Sequence, residues 1–276
     1  MISGRIGFMS SGTHPEATAW AARVVTAGGT VSDATLAAVS TFCLSVDSAG
    51  LRGSLYRVNL FCGTGLAACL VPLYRGPSSS GTQFGNATDT NNNFATSDYS
   101  EATGLQGNGS NKSLDTGLAQ NFASDRHIGF VPRTLGTTAF RYYMGARSSG
   151  FVSLYAAYAS SPTSIIGYYN YSDVTSAGGG PNTTATLRRL YVAVSSPPTS
   201  GQAYSNGTSG GSSVPAWATT NTVTLAVFAM KQADGTFNAP ANPLLSGYTI
   251  GTSLTAARVA TYNTIWTALL TALGRQ

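Results

Sequence analysis

The sequence predicts a mainly β protein, an antiparallel β-sandwich framed by an N-terminal helical hairpin and a C-terminal helix. Beyond Tyr56, short aromatic and β-branched segments alternate with loops rich in Gly, Ser, Asn and Pro. At both ends of the chain, apolar residues recur instead at three- and four-residue steps. Charged residues make up only 9% of the 276, against roughly 25% in ordinary soluble domains. Such a surface is polar without being ionic, and aromatic residues recurring along the whole chain argue against disorder.

The first helix opens at Thr13-His14-Pro15-Glu16, which has the S/T-x-x-E form of a capping box with proline in the first turn. Ala17, Trp20, Ala21 and Val24 follow on one face, and Gly28-Gly29 stops the helix. Ser32 caps a second helix whose Leu36, Val39, Cys43 and Val46 form its stripe, and Gly50 supplies the left-handed C-terminal residue. Neither helix can hide its stripe alone, so the pair must pack on the body or on another subunit.

The predicted strands are YRVNLFC, HIGFVPR, FRYYMGA, FVSLYAAY, SIIGYYNY, LRRLYVAV and VTLAVFAM. Residues 76–98 carry almost no apolar periodicity and read as a surface loop or linker. The chain therefore divides into a helical attachment region over 1–75, that linker, and a sandwich over 99–276 closed by a helix at 255–273. In this last helix Val259, Tyr262, Trp266, Leu269 and Leu273 step by three and four, widened by Ile265 and Leu270, behind an N-cap at Thr255. Burying those side chains at roughly 2 kcal/mol each gives an upper figure of order 10 kcal/mol, so the helix must dock.

Three stretches, in order, resemble a family of bacteriophage structural proteins that join a concanavalin A-like (laminin-G-like) jelly roll to a short helical hairpin. AARVVTAGGTVSDATLAAVSTFCLSVDSAGLRGSLYRVNLFCG is similar to the family's helix–turn–helix run; GLQGNGSNKSLDTGL resembles the opening hairpin of the sandwich. LYVAVSSPPTSGQAYSNGT resembles its strand pair ending in an Asn-Gly turn, and GYTIGTSLTAARVATYNTIWTALLTALGRQ its closing strand and helix. Arg258 stands where the family carries an acid three residues after the cap, and FCGTGL departs from the usual end of the first run. The resemblance implies a virion structural protein, made in the host cytoplasm, that decorates a capsid or builds a tail fibre. Its implied partners are other virion proteins and copies of itself, a trimer first. Two alternatives follow the same resemblance, a tail-fibre adhesin for host surface polysaccharide and a polysaccharide depolymerase.

Catalytic chemistry has little to work with. Glu16 and Glu101 are the only glutamates, no paired carboxylates alternate along a strand as glycoside cleavage needs, and only distant aspartates such as Asp115, Asp173 and Asp234 are left to converge. His14 and His127 sit in no nucleophile–base motif and read as structural. Cys43, Cys62 and Cys69 form no CxxC pair and read as small buried residues. No enzyme activity and no cofactor are expected. Asp89, Asn91 and Asn93 have the D-x-N-x-N start of a calcium loop but lack its glycine and distal glutamate, so a plain turn is the first reading and a metal the second.

A sugar contact would use Tyr168, Tyr169, Asn170, Tyr171 and Asp173, which supply flat rings beside amide and carboxylate groups. Alternation puts Tyr169 and Tyr171 on one face of a strand and Tyr168 and Asn170 on the other, so one face also reads as core. The net charge of +5 comes from scattered arginines with one adjacent pair, Arg188-Arg189, and gives no stripe for nucleic acid. MISGRIGFMSSG lacks the pattern of a signal peptide, and no stretch reaches the ~20 apolar residues of a membrane span.

Overall fold

The computed structural model describes residues 12–119, 125–138, 141–147, 153–161, 164–167, 182–184, 186–196, 200–213 and 222–276. Its architecture is the expected antiparallel β-sandwich of jelly-roll type with helices at both ends, arranged as three layers. One sheet runs β13 (Thr208–Ser213), β12 (Ser200–Ser205), β11 (Tyr191–Ser196), β6 (Arg126–Thr134), β17 (Leu244–Gly251), β4 (Gly104–Gln106), β3 (Tyr99–Ser100), with β1 (Leu55–Asn59) also pairing with β17. The other runs β10 (Asn182–Thr184), β9 (Ser164–Gly167), β8 (Ser153–Ser161), β7 (Arg141–Arg147), β14 (Thr224–Val227), β5 (Ser113–Ala119), β2 (Thr90–Asn92). In this second sheet β15 (Met230–Gln232) pairs with β16 (Phe237–Asn238) and lies parallel to β7. Every other described pairing of named strands is antiparallel.

The first sheet is buried on both faces, and its strands show why. Tyr191 and Ala193 of β11 point into a core shared with the second sheet, where Phe130, Tyr143, Tyr248 and Ile250 also lie. Val192 and Val194, between them in sequence, point the opposite way into a second core shared with the helices. A strand covered on two sides reads as a continuous apolar run, which is what LYVAV is.

The helical layer consists of α1 (Pro15–Thr26), α2 (Asp33–Ser48) and the C-terminal α4 (Ala256–Ala272), with the short α3 (Gly65–Cys69) after β1. Trp20, Phe42, Val46, Tyr262, Trp266 and Leu270 meet there, and the Phe42 and Trp266 rings stand edge to face at 5.5 Å. Each apolar stripe is thus covered by the other helices and the outer face of the first sheet. Gly247 permits the close approach: a Cβ at this position would lie 2.5 Å from the Asn59 carbonyl and 2.8 Å from the Trp266 ring.

One detail differs from the sequence reading. The first N-cap is His14, one residue later than the Thr13 capping box predicts: its Nδ1 accepts from the Glu16 N–H at 3.2 Å, while the Glu16 carboxylate turns to Arg52. An ion pair outcompetes the reciprocal cap for that carboxylate. Strand β1 pairs with β17, β2 joins β5, and α2 packs on α4. The Asn206-Gly207 turn has the positive φ of 54° and 76° that such a hairpin needs.

Candidate functional site

Strand β1 carries one charge, Arg57, and the fold buries it completely. Its Nη2 donates to Asp89 Oδ1 at 2.7 Å, its Nε to the Tyr248 hydroxyl at 2.9 Å, and its Nη1 to the Phe84 and Asn86 carbonyls at 3.1 and 3.0 Å. The Tyr248 hydroxyl donates to the same carboxylate at 2.7 Å, and Asn59 Nδ2 donates to its other oxygen at 2.8 Å. Burial opposes the charge on Arg57, but Tyr248 and Asp89 outweigh it and hold its pKa above the ordinary value. The cluster is fully satisfied and closed to solvent, so it ties the 84–89 segment to β1 and β17 and offers nothing to a ligand.

Other acidic groups are committed in the same way. Glu16 accepts twice from Arg52, whose guanidinium lies 4.0 Å from the Tyr74 ring centre. Glu101 accepts from the Thr35 hydroxyl at 2.7 Å and the Gly63 N–H at 2.9 Å. Asp98 pairs with Lys112 and Asp115 with Lys231. Asp234 accepts from Thr236 at its own turn, and Asp125 accepts from Ser253.

Both histidines serve the fold. His14 Nε2 lies 2.9 Å from Asp47, and its Nδ1 caps α1. His127 is wholly buried; its Nδ1–H donates to the Thr252 carbonyl at 2.6 Å and its Nε2 accepts from Thr249 at 3.0 Å. Burial drives its pKa down to about 4, so it stays neutral at neutral pH. The three cysteines are free and buried, and burial pushes Cys43 and Cys62 up to about 12, leaving them unreactive.

Tyr168, Tyr169, Asn170, Tyr171 and Asp173, the residues singled out for sugar contact, lie outside the described residues. Asp89, Asn91 and Asn93 do not turn toward a common point. Asp89 faces Arg57, Asn91 exchanges hydrogen bonds with the Phe94 backbone at 2.8 and 2.9 Å, and Asn93 donates to the Asn111 carbonyl at 2.9 Å. Among the described residues no group of three or more His, Cys, Asp or Glu could hold a metal ion. Of the distant aspartates, Asp115 is held by Lys231 and Asp234 by its turn, while Asp173 is not described. Among the described residues no helix is long and apolar enough to cross a membrane.

Sequence reasoning missed the role of Arg57 and that of Arg275, which is also fully buried. Arg275 donates to the carbonyls of Glu101, Leu60, Ser246 and Phe61 at 2.6–3.3 Å, clasping the end of the helical layer onto the first sheet. A lone charge inside the apolar strand YRVNLFC was the available signal for the first, since buried arginine requires partners.

No protein-family model matches the sequence, and no curated protein does either. Among solved structures the fold is similar to a mutant sialidase of Trypanosoma rangeli displaying trans-sialidase activity, at 10% identity and a TM-score of 0.49 over 87% of this chain and 40% of that one. It is also similar to domain 4 of AbnA, an extracellular arabinanase of Geobacillus stearothermophilus, at 14% identity and a TM-score of 0.40, covering 76% of this chain and 98% of that one. A third is the botulinum neurotoxin serotype G binding domain, at 11% identity and a TM-score of 0.43 over 77% and 51% of the two chains. This chain spans well under half of the sialidase and about half of the toxin domain.

Proposed function

We propose that the chain is a non-catalytic structural subunit of a bacteriophage particle, a capsid decoration or tail-fibre component. One observation carries the reading. The hairpin and the terminal helix, the two pieces that the phage resemblance places around the sandwich, share one hydrophobic core on the outer face of its first sheet. Hairpin, sandwich and closing helix therefore make a single building block, as a part copied many times in a particle needs. The internal commitment of Glu16, Asp89, Glu101, His14 and His127 supports the non-catalytic half of the reading. Other virion proteins are the proposed partners, with self-association into a trimer first. Purified phage particles test this: the chain is expected in fixed copy number by mass spectrometry, with density for its sandwich in a cryo-microscopic map. A chain absent from particles that nonetheless contain the rest of their structural proteins overturns it.

A second reading, a tail-fibre adhesin for host polysaccharide, is favoured by the ring and amide pattern of Tyr168, Tyr169, Asn170 and Tyr171 with Asp173. A glycan array separates the two. Retention of host sugars at micromolar strength favours the adhesin, and silence favours a purely architectural subunit. The depolymerase alternative finds no support in Asp115 and Asp234, each held by its own local partners.

A further inference from the structure

Four arginines gather at one end of the first sheet. Arg133 closes β6, Arg188 and Arg189 lie in the loop leading into β11, and Arg275 follows α4. Backbone contacts hold them together: the Arg188 N–H donates to the Pro132 carbonyl at 2.6 Å. Arg133 Nη1 donates to the Ala102 carbonyl at 2.8 Å and Arg275 Nε to the neighbouring Glu101 carbonyl at 2.7 Å. Arg189 Nη1 reaches the Arg188 carbonyl and Gln276 Oε1, both at 2.9 Å.

Among the described residues no Asp or Glu is paired with these arginines. Glu101 is the carboxylate of the adjoining turn, and it is engaged by the Thr35 hydroxyl and the Gly63 N–H. Burial lowers the Arg133 pKa below the ordinary arginine value, and the neighbouring charges of Arg188 and Arg275 lower it further. Arg275 spends its donors on backbone carbonyls, whereas the Arg188 side chain is exposed and Arg133 and Arg189 are partly so. Arg188 also holds a left-handed backbone, φ 60°, that a bulky residue rarely adopts.

We infer that Arg133, Arg188 and Arg189 form a binding site for an oxyanion, and that its ligand is the carboxylate, sulfate or phosphate group of an acidic saccharide. Guanidinium groups match such oxyanions with paired N–H donors. Two of them on one loop and a third at the adjoining strand end suit a single charged group better than the continuous row of phosphates along a nucleic-acid strand. The neighbourhood suits the uncharged remainder of a sugar: Thr186 and Ser205, linked by a 3.0 Å bond from the Thr186 N–H to the Ser205 hydroxyl, flank the loop, and the exposed Asn206 follows. The inference rests on the adhesin reading and names its ligand class.

The test is an array of carboxylated, sulfated, phosphorylated and neutral saccharides, probed at low salt with the full chain and with an Arg133→Gln/Arg188→Gln variant. The full chain is expected to retain acidic saccharides, with roughly tenfold weaker retention in the variant or in high salt. An Arg188→Glu variant, altered at an exposed side chain, serves as the second probe and is expected to abolish retention. Retention of neutral saccharides alone overturns this site while leaving the adhesin reading in place; a silent array overturns both. Equal retention by either variant, or tighter binding of a single-stranded oligonucleotide than of every acidic saccharide, also overturns the site.

Discussion

The Arg258 guanidinium donates to the Gly50 carbonyl at 2.6 Å, joining the first turn of α4 to the C-terminus of α2. A second bond runs from Arg258 Nη1 to the Ser54 hydroxyl at 3.2 Å. A cation in the first turn works against the dipole of its own helix, but at the end of α2 it meets carbonyls that lack intrahelical partners. The acid absent from the capping box after Thr255 has thus been exchanged for a contact between helices. Thr255 still caps alone, accepting from the Arg258 N–H at 3.4 Å.

Replacing Arg258 by alanine is expected to cost about 1–2 kcal/mol through the loss of those two bonds. Arg258→Glu restores the reciprocal cap yet leaves the Gly50 carbonyl unserved, and is expected to remain less stable than the natural chain. Urea unfolding midpoints measure both. A glutamate variant more stable than the natural protein would show that the local cap outweighs the bridge.

Removal of one partner from the Arg57–Asp89 pair leaves a charge with no water and no counterion. Asp89→Ala is expected to lose about 3–5 kcal/mol, while Arg57→Met combined with Asp89→Leu recovers most of it, because the apolar pair removes both charges together. The same geometry predicts that millimolar calcium leaves the melting temperature unchanged, since the Asp89 carboxylate already accepts from Arg57, Asn59 and Tyr248. A calcium-dependent rise in melting temperature would place an ion at Asp89 after all.

Helices and strands were legible where one rule dominates. The stripe from Val259 to Leu270 and the Ser32 and Thr255 caps stand where periodicity and side-chain chemistry put them. So does the Asn206-Gly207 turn, because its conformation is set by the two residues themselves. What escaped was decided by long-range partners. Asp89 looked like an ion ligand because the residues beside it are Asn and Thr, while its actual partners, Arg57 and Tyr248, are far off in sequence. The three-layer arrangement was half visible in LYVAV, an apolar run that a sheet wet on one face would not carry. Nothing local distinguishes Arg275 as buried, since the carbonyls it serves come from four separate positions.

Acid is expected to destabilise the fold through His127. The folded imidazole takes its proton only near pH 4, whereas the unfolded one does so near its ordinary 6.5. Between those values the unfolded state binds more protons, so stability is complete above pH 6.5 and falls as the pH drops toward 4. The full loss corresponds to about 3 kcal/mol. Chemical unfolding of the natural chain and of His127→Gln across this range measures it, and the variant should show the shallower acid limb. Parallel curves would assign acid sensitivity to the carboxylates instead.

The terminal helix should be indispensable. Deleting residues 253–276 strips Tyr262, Trp266 and Leu270 from the core they share with Phe42, Val192 and Tyr204, and removes the Arg275 clasp. The outer face of the first sheet and the stripe of α2 are then exposed together, a patch that soluble monomers do not tolerate. Insoluble or unfolded material is therefore expected. Gly247→Ala gives the same result more gently, because the added methyl meets the Trp266 ring and the Asn59 carbonyl and forces α4 off the sheet. Its expected cost is about 2–4 kcal/mol, read from the urea midpoint. A soluble truncation with a cooperative unfolding transition would mean that the two sheets stand alone and that α4 is an addition to a self-sufficient sandwich.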